Sequence, residues 1–178
     1  MKKLTFVLLF LFSAILTFAQ SDVKAPKGLD TSICLQFIGK LDASMKSAEG
    51  EYTVKLIRDN KVVETQTIGI KKTFKFTLKR SAFYTIKIEK AGFVPRLFSI
   101  STTMPYTIDP IEPGGELYKF EFETNLISEE LYHHFDDDDM DFPLALISYG
   151  KSCDCYEYDA KYTEKIMTRL LNSILFGS

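Results

Sequence analysis

Tryptophan is absent, histidine occurs twice and cysteine three times. The chain also lacks a glycine-rich phosphate loop, a G-x-S-x-G elbow and an H-E-x-x-H helix, so the usual sequence signs of nucleotide-binding, serine-hydrolase and zinc-protease machinery are missing. No excess of positive charge is present: there are 22 Lys and Arg against 24 Asp and Glu, and removing residues 1–19 takes away Lys2 and Lys3 but no acid, leaving a net charge of about −4. A protein that grips a phosphate backbone needs a basic face, which excludes nucleic acid as the expected partner. Long apolar runs are scarce too. The one that stands out, Leu4 to Leu16, is too short for a comfortable membrane span, and no second one follows, so no transmembrane span is expected in the mature chain.

That run is preceded by Lys2-Lys3 and followed by Thr17-Phe18-Ala19, a small residue where signal peptidase requires one. Residues 1–19 therefore read as a signal peptide, with Gln20 as the first mature residue and no nearby cysteine to carry a lipid. The expected location is outside the cytoplasm: periplasmic, outer-membrane-associated or secreted. Residues 20–31, with Pro26 and Gly28, read as a flexible lead-in.

From Ile33 the pattern has period two. Ile33, Leu35 and Phe37 alternate with Cys34 and Gln36; Tyr52, Val54 and Leu56 with Thr53 and Lys55; Phe74, Phe76 and Leu78 with Lys75 and Thr77; Tyr84, Ile86 and Ile88 with Thr85 and Lys87. Asp59-Asn60 has the composition of a tight hairpin turn. Gly92 and Pro95 break the chain before Leu97–Ser101, and Pro110, Pro113, Gly114 and Gly115 break it before Leu117–Glu123. Fifteen Phe and nine Tyr supply a core of aromatic rings on sheet faces. The expectation over 32–125 is a mainly β fold, an antiparallel β-sandwich. Residues 126–178 read as a C-terminal extension packed on it: an acidic loop, a strand over 142–147 with Pro143 at its start, and an amphipathic helix after the N-cap Asp159. Ile166, Leu170 and Ile174, with Met167, Leu171 and Leu175 beside them, form the helix's apolar stripe.

Cysteine is odd in number in a compartment that oxidises thiols. Cys153 and Cys155, two apart on an extended segment, are awkwardly placed to bridge each other, so the expected bond joins Cys34 to one of them. Three thiols, or a Cys-x-Cys metal site, are the alternatives.

His133 and His134 are adjacent and point in different directions, which suits exposed loop residues better than two ligands of one metal. Asp136, Asp137, Asp138, Asp139 and Asp141 crowd oxygen ligands that a hard cation such as calcium accepts, but without the alternate spacing and central glycine of an EF-hand loop. A solvated charge run is the simpler reading, and no cofactor and no catalytic residue are assigned. Lys71, Lys72, Lys75, Lys79 and Arg80 are expected on the water face of the fourth strand, with contact to an acidic partner or lipid headgroups as the alternative.

Gly50-Glu51-Tyr52-Thr53-Val54-Lys55-Leu56, Phe74-Lys75-Phe76-Thr77-Leu78 and Tyr84-Thr85-Ile86-Lys87-Ile88-Glu89-Lys90-Ala91-Gly92-Phe93, taken in that order, resemble the carboxypeptidase regulatory-like domain, a transthyretin-like sandwich related in layout to Ig-like folds. The likeness spans roughly 33 to 103 and departs from the family early, where its Gly-x-Val and Pro-Leu-x-Gly-Ala element is reduced to Gly39-Lys40-Leu41. The tail from Asp141 to Thr163 is similar to exported proteins of Bacteroidota that carry such an extension. The resemblance implies a non-catalytic accessory module of the cell envelope that contacts a protein or glycan. The competing expectation is a calcium-dependent carbohydrate-acting or hydrolytic enzyme built around 136–141.

Overall fold

The segments of alternating apolar side chains led by Ile33, Tyr52, Phe74 and Tyr84 form strands. A computed structural model describes residues 33–42, 50–69, 72–108, 117–132 and 142–176. The expected signal peptide 1–19, the lead-in 20–31, Lys71, the break at 110–115, His133, His134 and Asp136 to Asp141 lie outside the described residues. The strands are β1 (Ile33–Leu41), β2 (Glu51–Arg58), β3 (Lys61–Gly69), β4 (Phe74–Lys79), β5 (Phe83–Lys90), β6 (Phe93–Ser101), β7 (Tyr118–Thr124), β8 (Ala145–Gly150) and β9 (Cys155–Tyr158). A 3-10 turn at Glu129–Tyr132 precedes β8, and the helix α1 (Ala160–Phe176) follows β9.

The fold is mainly β, with two sheets and one C-terminal helix. One sheet has the order β4-β1-β7, the other β3-β2-β5-β6-β8-β9. Most ladders are antiparallel, but β1 pairs with β7 and β6 with β8 in parallel, so both sheets are mixed. Buried side chains of both sheets form a single core cluster. Rings meet across it: Tyr52 of β2 and Phe74 of β4 have centroids 6.4 Å apart, Phe98 of β6 and Phe122 of β7 4.6 Å, and Tyr118 of β7 and Tyr156 of β9 6.0 Å.

Local chemistry fixes the turns. Asp59 and Asn60 both take positive φ, 51° and 59°, the conformation that matches a two-residue turn to the twist of β2 and β3. The β4–β5 corner is held by side chains: the Tyr84 hydroxyl accepts the Lys79 N–H at 3.2 Å, and the fully buried Thr102 hydroxyl accepts the Ala82 N–H at 2.9 Å. The Thr102 proton is shared between the carbonyls of Lys79 and Ala82, so this buried polar group is satisfied.

Two departures from strict alternation have physical causes. Ile33 is turned out to solvent while Cys34 and Leu35 are both fully buried, because the register of β1 against β4 shifts between Ile33 and Leu35, the signature of a bulge. The strand expected over 142–147 begins at Ala145; before it, the Leu144 N–H bonds the Leu97 carbonyl and the Tyr162 hydroxyl holds the Pro143 carbonyl at 2.9 Å. The short strand β9, not anticipated from the sequence, pairs antiparallel with β8 and prolongs the larger sheet.

Asp159 caps α1 as its position predicts: its Oδ1 accepts the Tyr162 N–H at 3.0 Å. Ile166 and Leu170 are buried, whereas Met167 and Leu171 face solvent, so the buried stripe is narrower than the sequence pattern. The side chains of Ile174 and Leu175 lie outside the described ones.

Gly39 sits between Phe74 on β4 and Phe122 on β7, its partners in the two ladders. A Cβ there would stand 2.4 Å from ring atoms of both phenylalanines. Gly39→Ala is therefore expected to destabilise the protein by about 1–3 kcal/mol through forced ring displacement. Gly69→Ala, whose nearest neighbour would be 4.0 Å away, should stay within about 0.5 kcal/mol. Urea unfolding of the two variants measures the contrast, and equal midpoints would refute it.

Candidate binding surface

The residues singled out in the sequence separate in the structure. Lys72, Lys75 and Lys79 are exposed, as a water face requires. Arg80 is not: it continues the inward series Phe74, Phe76, Leu78, is 5 % exposed, donates to the Pro105 carbonyl and stands 5.4 Å from the centre of the Tyr106 ring. Period two places it inside, and two carbonyls and a ring receive its charge there.

The cysteine expectation is overturned. The disulfide joins Cys153 to Cys155, and Cys34 is a buried thiol that takes no part in it. The reason is the turn between β8 and β9. Two residues of extended chain would separate the two Cα atoms by about 6.6 Å, but Asp154 adopts a left-handed φ of 50°, and the separation falls to 5.1 Å, within the reach of a disulfide. On the chain-entropy relation, so small a loop contributes about 1.6 kcal/mol rather than the nearly 5 of a loop of roughly 120 residues. Cys34 instead donates to the Leu78 carbonyl at 3.7 Å and lies 3.5 Å from the Tyr156 hydroxyl.

The left-handed turn also aims a carboxylate. The hydroxyls of Tyr118, at 2.9 Å, and of Tyr149 donate to the same Asp154 oxygen. Those two bonds, that from Tyr149 first, hold the Asp154 carboxyl below its ordinary range. The rings of Tyr118, Tyr149 and Tyr156 pack edge-on around one another at 5.9–6.0 Å. Burial, with the Asp154 bond second, raises the Tyr118 hydroxyl; the Asp154 bond leads for Tyr149; burial, then Cys34, raises Tyr156. Phenols held neutral in this way donate hydrogen bonds and make poor bases or nucleophiles, so the cluster acts as a clamp between β7 and the β8–β9 hairpin.

Further along β7 the layers part. Phe120 and Phe122 point inward yet remain partly exposed, because β7 is the edge of the smaller sheet. A cleft of about 140 Å³ opens there, walled by Phe98, Phe120, Phe122, Leu144, Ile147 and Tyr158. Of the ten large hydrophobic side chains exposed among the described residues, five lie on this C-terminal unit: Phe142, Leu146, Tyr158, Met167 and Leu171. Leu146 and Tyr158 face opposite sides of the larger sheet, while Met167 and Leu171 lie one turn apart on α1.

Sequence reasoning assigned no role to Asp154, Tyr118, Tyr149 or Tyr156. The available signal was the Gly150-Lys151-Ser152 turn composition between two tyrosine-bearing runs, which points to a hairpin. Among the described residues no three His, Cys, Asp or Glu side chains are grouped to hold a metal, and no helix is long and apolar enough to cross a membrane. No protein-family model matches the chain, and no curated protein matches it.

Two outcomes are expected. Alkylation of the native protein should label no thiol, and alkylation in denaturant should label Cys34 alone, with Cys153 and Cys155 recovered as one cross-linked peptide. A peptide linking Cys34 to either would contradict the pairing. For Asp154, whose folded pKa is lowered, the stability it contributes is complete above the ordinary Asp value of about 3.9 and is lost as pH falls through the folded value. Melting temperature followed downward from pH 5 should therefore drop more steeply in the native protein than in Asp154→Asn, and parallel curves would remove the clamp.

Proposed function

We propose that this protein is a non-catalytic binding or assembly module that docks a protein or glycan of the cell envelope through its C-terminal unit. The observation that supports this most is the exposure of Met167 and Leu171, one turn apart on α1, with Phe142, Leu146 and Tyr158 also exposed on the neighbouring elements. Burial of apolar surface contributes about 25 cal/mol per Å², so a partner that covers these side chains gains several kcal/mol. A rigid platform lowers the entropic cost of docking, and the tyrosine clamp at Asp154 with the Cys153–Cys155 bond supplies rigidity at the hairpin. The N-terminal pattern Lys2-Lys3, Leu4–Leu16 and Ala19 supports export to the envelope. The likeness of residues 33–103 to carboxypeptidase regulatory-like domains supports an accessory role beside another protein.

The test compares the native chain with a Met167→Lys and Leu171→Lys double variant in capture from envelope extract and on a glycan array. Both side chains face solvent, so the variant is expected to melt within a few degrees of the native protein and to lose the captured partner by tenfold or more. Capture that is unchanged by the double substitution would reject this surface.

A further inference from the structure

The Cys153–Cys155 bond closes a ring around one residue, Asp154, at the tip of the β8–β9 hairpin. A loop this short adds little on the chain-entropy relation, so global stability does not account for the bond. Its surroundings suit exchange with an external thiol. Cys153 and Asp154 are exposed and Cys155 is half-buried, so an incoming thiolate reaches the Cys153 sulfur first and Cys155 is the group that leaves. The Gly150 and Cys155 carbonyl oxygens lie 3.5 and 3.7 Å from the Cys153 sulfur, positioned to accept its S–H once the bond is open. A fold that accommodates the dithiol makes the disulfide easier to reduce. Cys34 is not the attacking thiol: it is buried beside the Tyr156 hydroxyl, and Cys155 points to the opposite face of β9 from Tyr156.

The bond also holds one dihedral. Asp154 has a φ of 50°, a conformation that residues other than glycine keep only when their surroundings fix it, and its two neighbours are tied across it. In that conformation its carboxylate receives the hydroxyl of Tyr118 from β7 in the smaller sheet and that of Tyr149 from β8 in the larger. The disulfide and the two hydrogen bonds therefore favour the same backbone state. Opening the bond weakens the clamp, and removing the clamp eases the opening by the same factor.

We propose that Cys153–Cys155 is a redox-active site that accepts two electrons from a protein dithiol, and that its reduction loosens the β8–β9 hairpin from β7. One substrate thiolate attacks the Cys153 sulfur, forming a mixed disulfide while the Cys155 thiolate departs and takes up a proton. The second substrate thiolate attacks its own chain's sulfur in that mixed disulfide and releases Cys153, which is protonated in turn. The substrate ends as a disulfide, and this protein ends as the dithiol. The site lies apart from Met167 and Leu171 on α1 and stands whether or not a partner docks there.

Glutathione redox buffers at pH 7 are the probe, with the folded full chain trapped by alkylation and weighed intact. Millimolar reduced glutathione is expected to let two alkyl groups onto the native protein, at Cys153 and Cys155, while Cys34 stays unlabelled. Amide hydrogen exchange in β8 and β9 should then rise about fivefold or more, and Cys153→Ser with Cys155→Ser should show the raised exchange with or without glutathione. Tyr118→Phe with Tyr149→Phe keeps both rings and removes the clamp, and should shift the equilibrium toward the dithiol by about fivefold or more. Tyr149→Phe alone, at a partly exposed ring, makes the same comparison should the double variant fail to fold. A bond that glutathione opens only in denaturant, hairpin exchange unchanged by reduction, or an equilibrium unmoved by loss of the tyrosine hydroxyls would each overturn the proposal.

Discussion

The two sheets are held in register by an aromatic cluster that requires a residue with no side chain at its centre. Gly39 lies on the middle strand of the smaller sheet, and both of its ladder partners are phenylalanines whose rings close over it. Phe74 then reaches Tyr52 on the opposite sheet, and Phe122 reaches Phe98. Aromatic pairs at these separations contribute about 0.5–1.5 kcal/mol each beyond the area they bury, and they fix relative orientation because rings prefer offset and edge-on contact. The inter-sheet geometry, and everything built at its margins, follows from that packing.

The sheets are unequal, and the inequality explains the C-terminal unit. Three strands face six, and β7, the edge of the smaller sheet, lies across β6, β8 and β9 through the contacts Phe122–Phe98, Tyr118–Tyr149 and Tyr118–Tyr156. The hairpin β8–β9 prolongs the larger sheet beyond β6, and the capped helix α1 follows it with Ile166 and Leu170 buried. Coverage is incomplete at two places. One is the ring-walled cleft beside Phe120 and Phe122; the other is a water-sized gap between Pro95, Leu97 and the helix residues Ile166 and Leu170. The same elements that complete the core therefore create its concave margin, beside a hairpin stiffened by two hydroxyls on one carboxylate oxygen.

Much of this was legible in the residues. Alternation placed β1, β2, β4 and β5, Asp59-Asn60 marked the hairpin, and Asp159 marked the start of α1. These are local signals: a period, a turn conformation or a capping bond is a property of a few neighbouring residues. Two of the errors concern distance and one a local turn. Cys34 turned inward because of how β1 aligns with β4, and Arg80 found its carbonyl acceptors some 25 residues further along the chain. The disulfide depended on one left-handed residue, Asp154, which the spacing of the cysteines does not reveal.

Period and composition alone determined that this chain would form half-buried strands rich in Phe and Tyr, closed by an amphipathic helix, since each side chain's preference for water or core is intrinsic. Only tertiary structure decided which strands pair in parallel and that Tyr118 and Tyr149 would share Asp154. Those outcomes depend on contacts between residues tens of positions apart. Their geometry exists only once the whole core has packed.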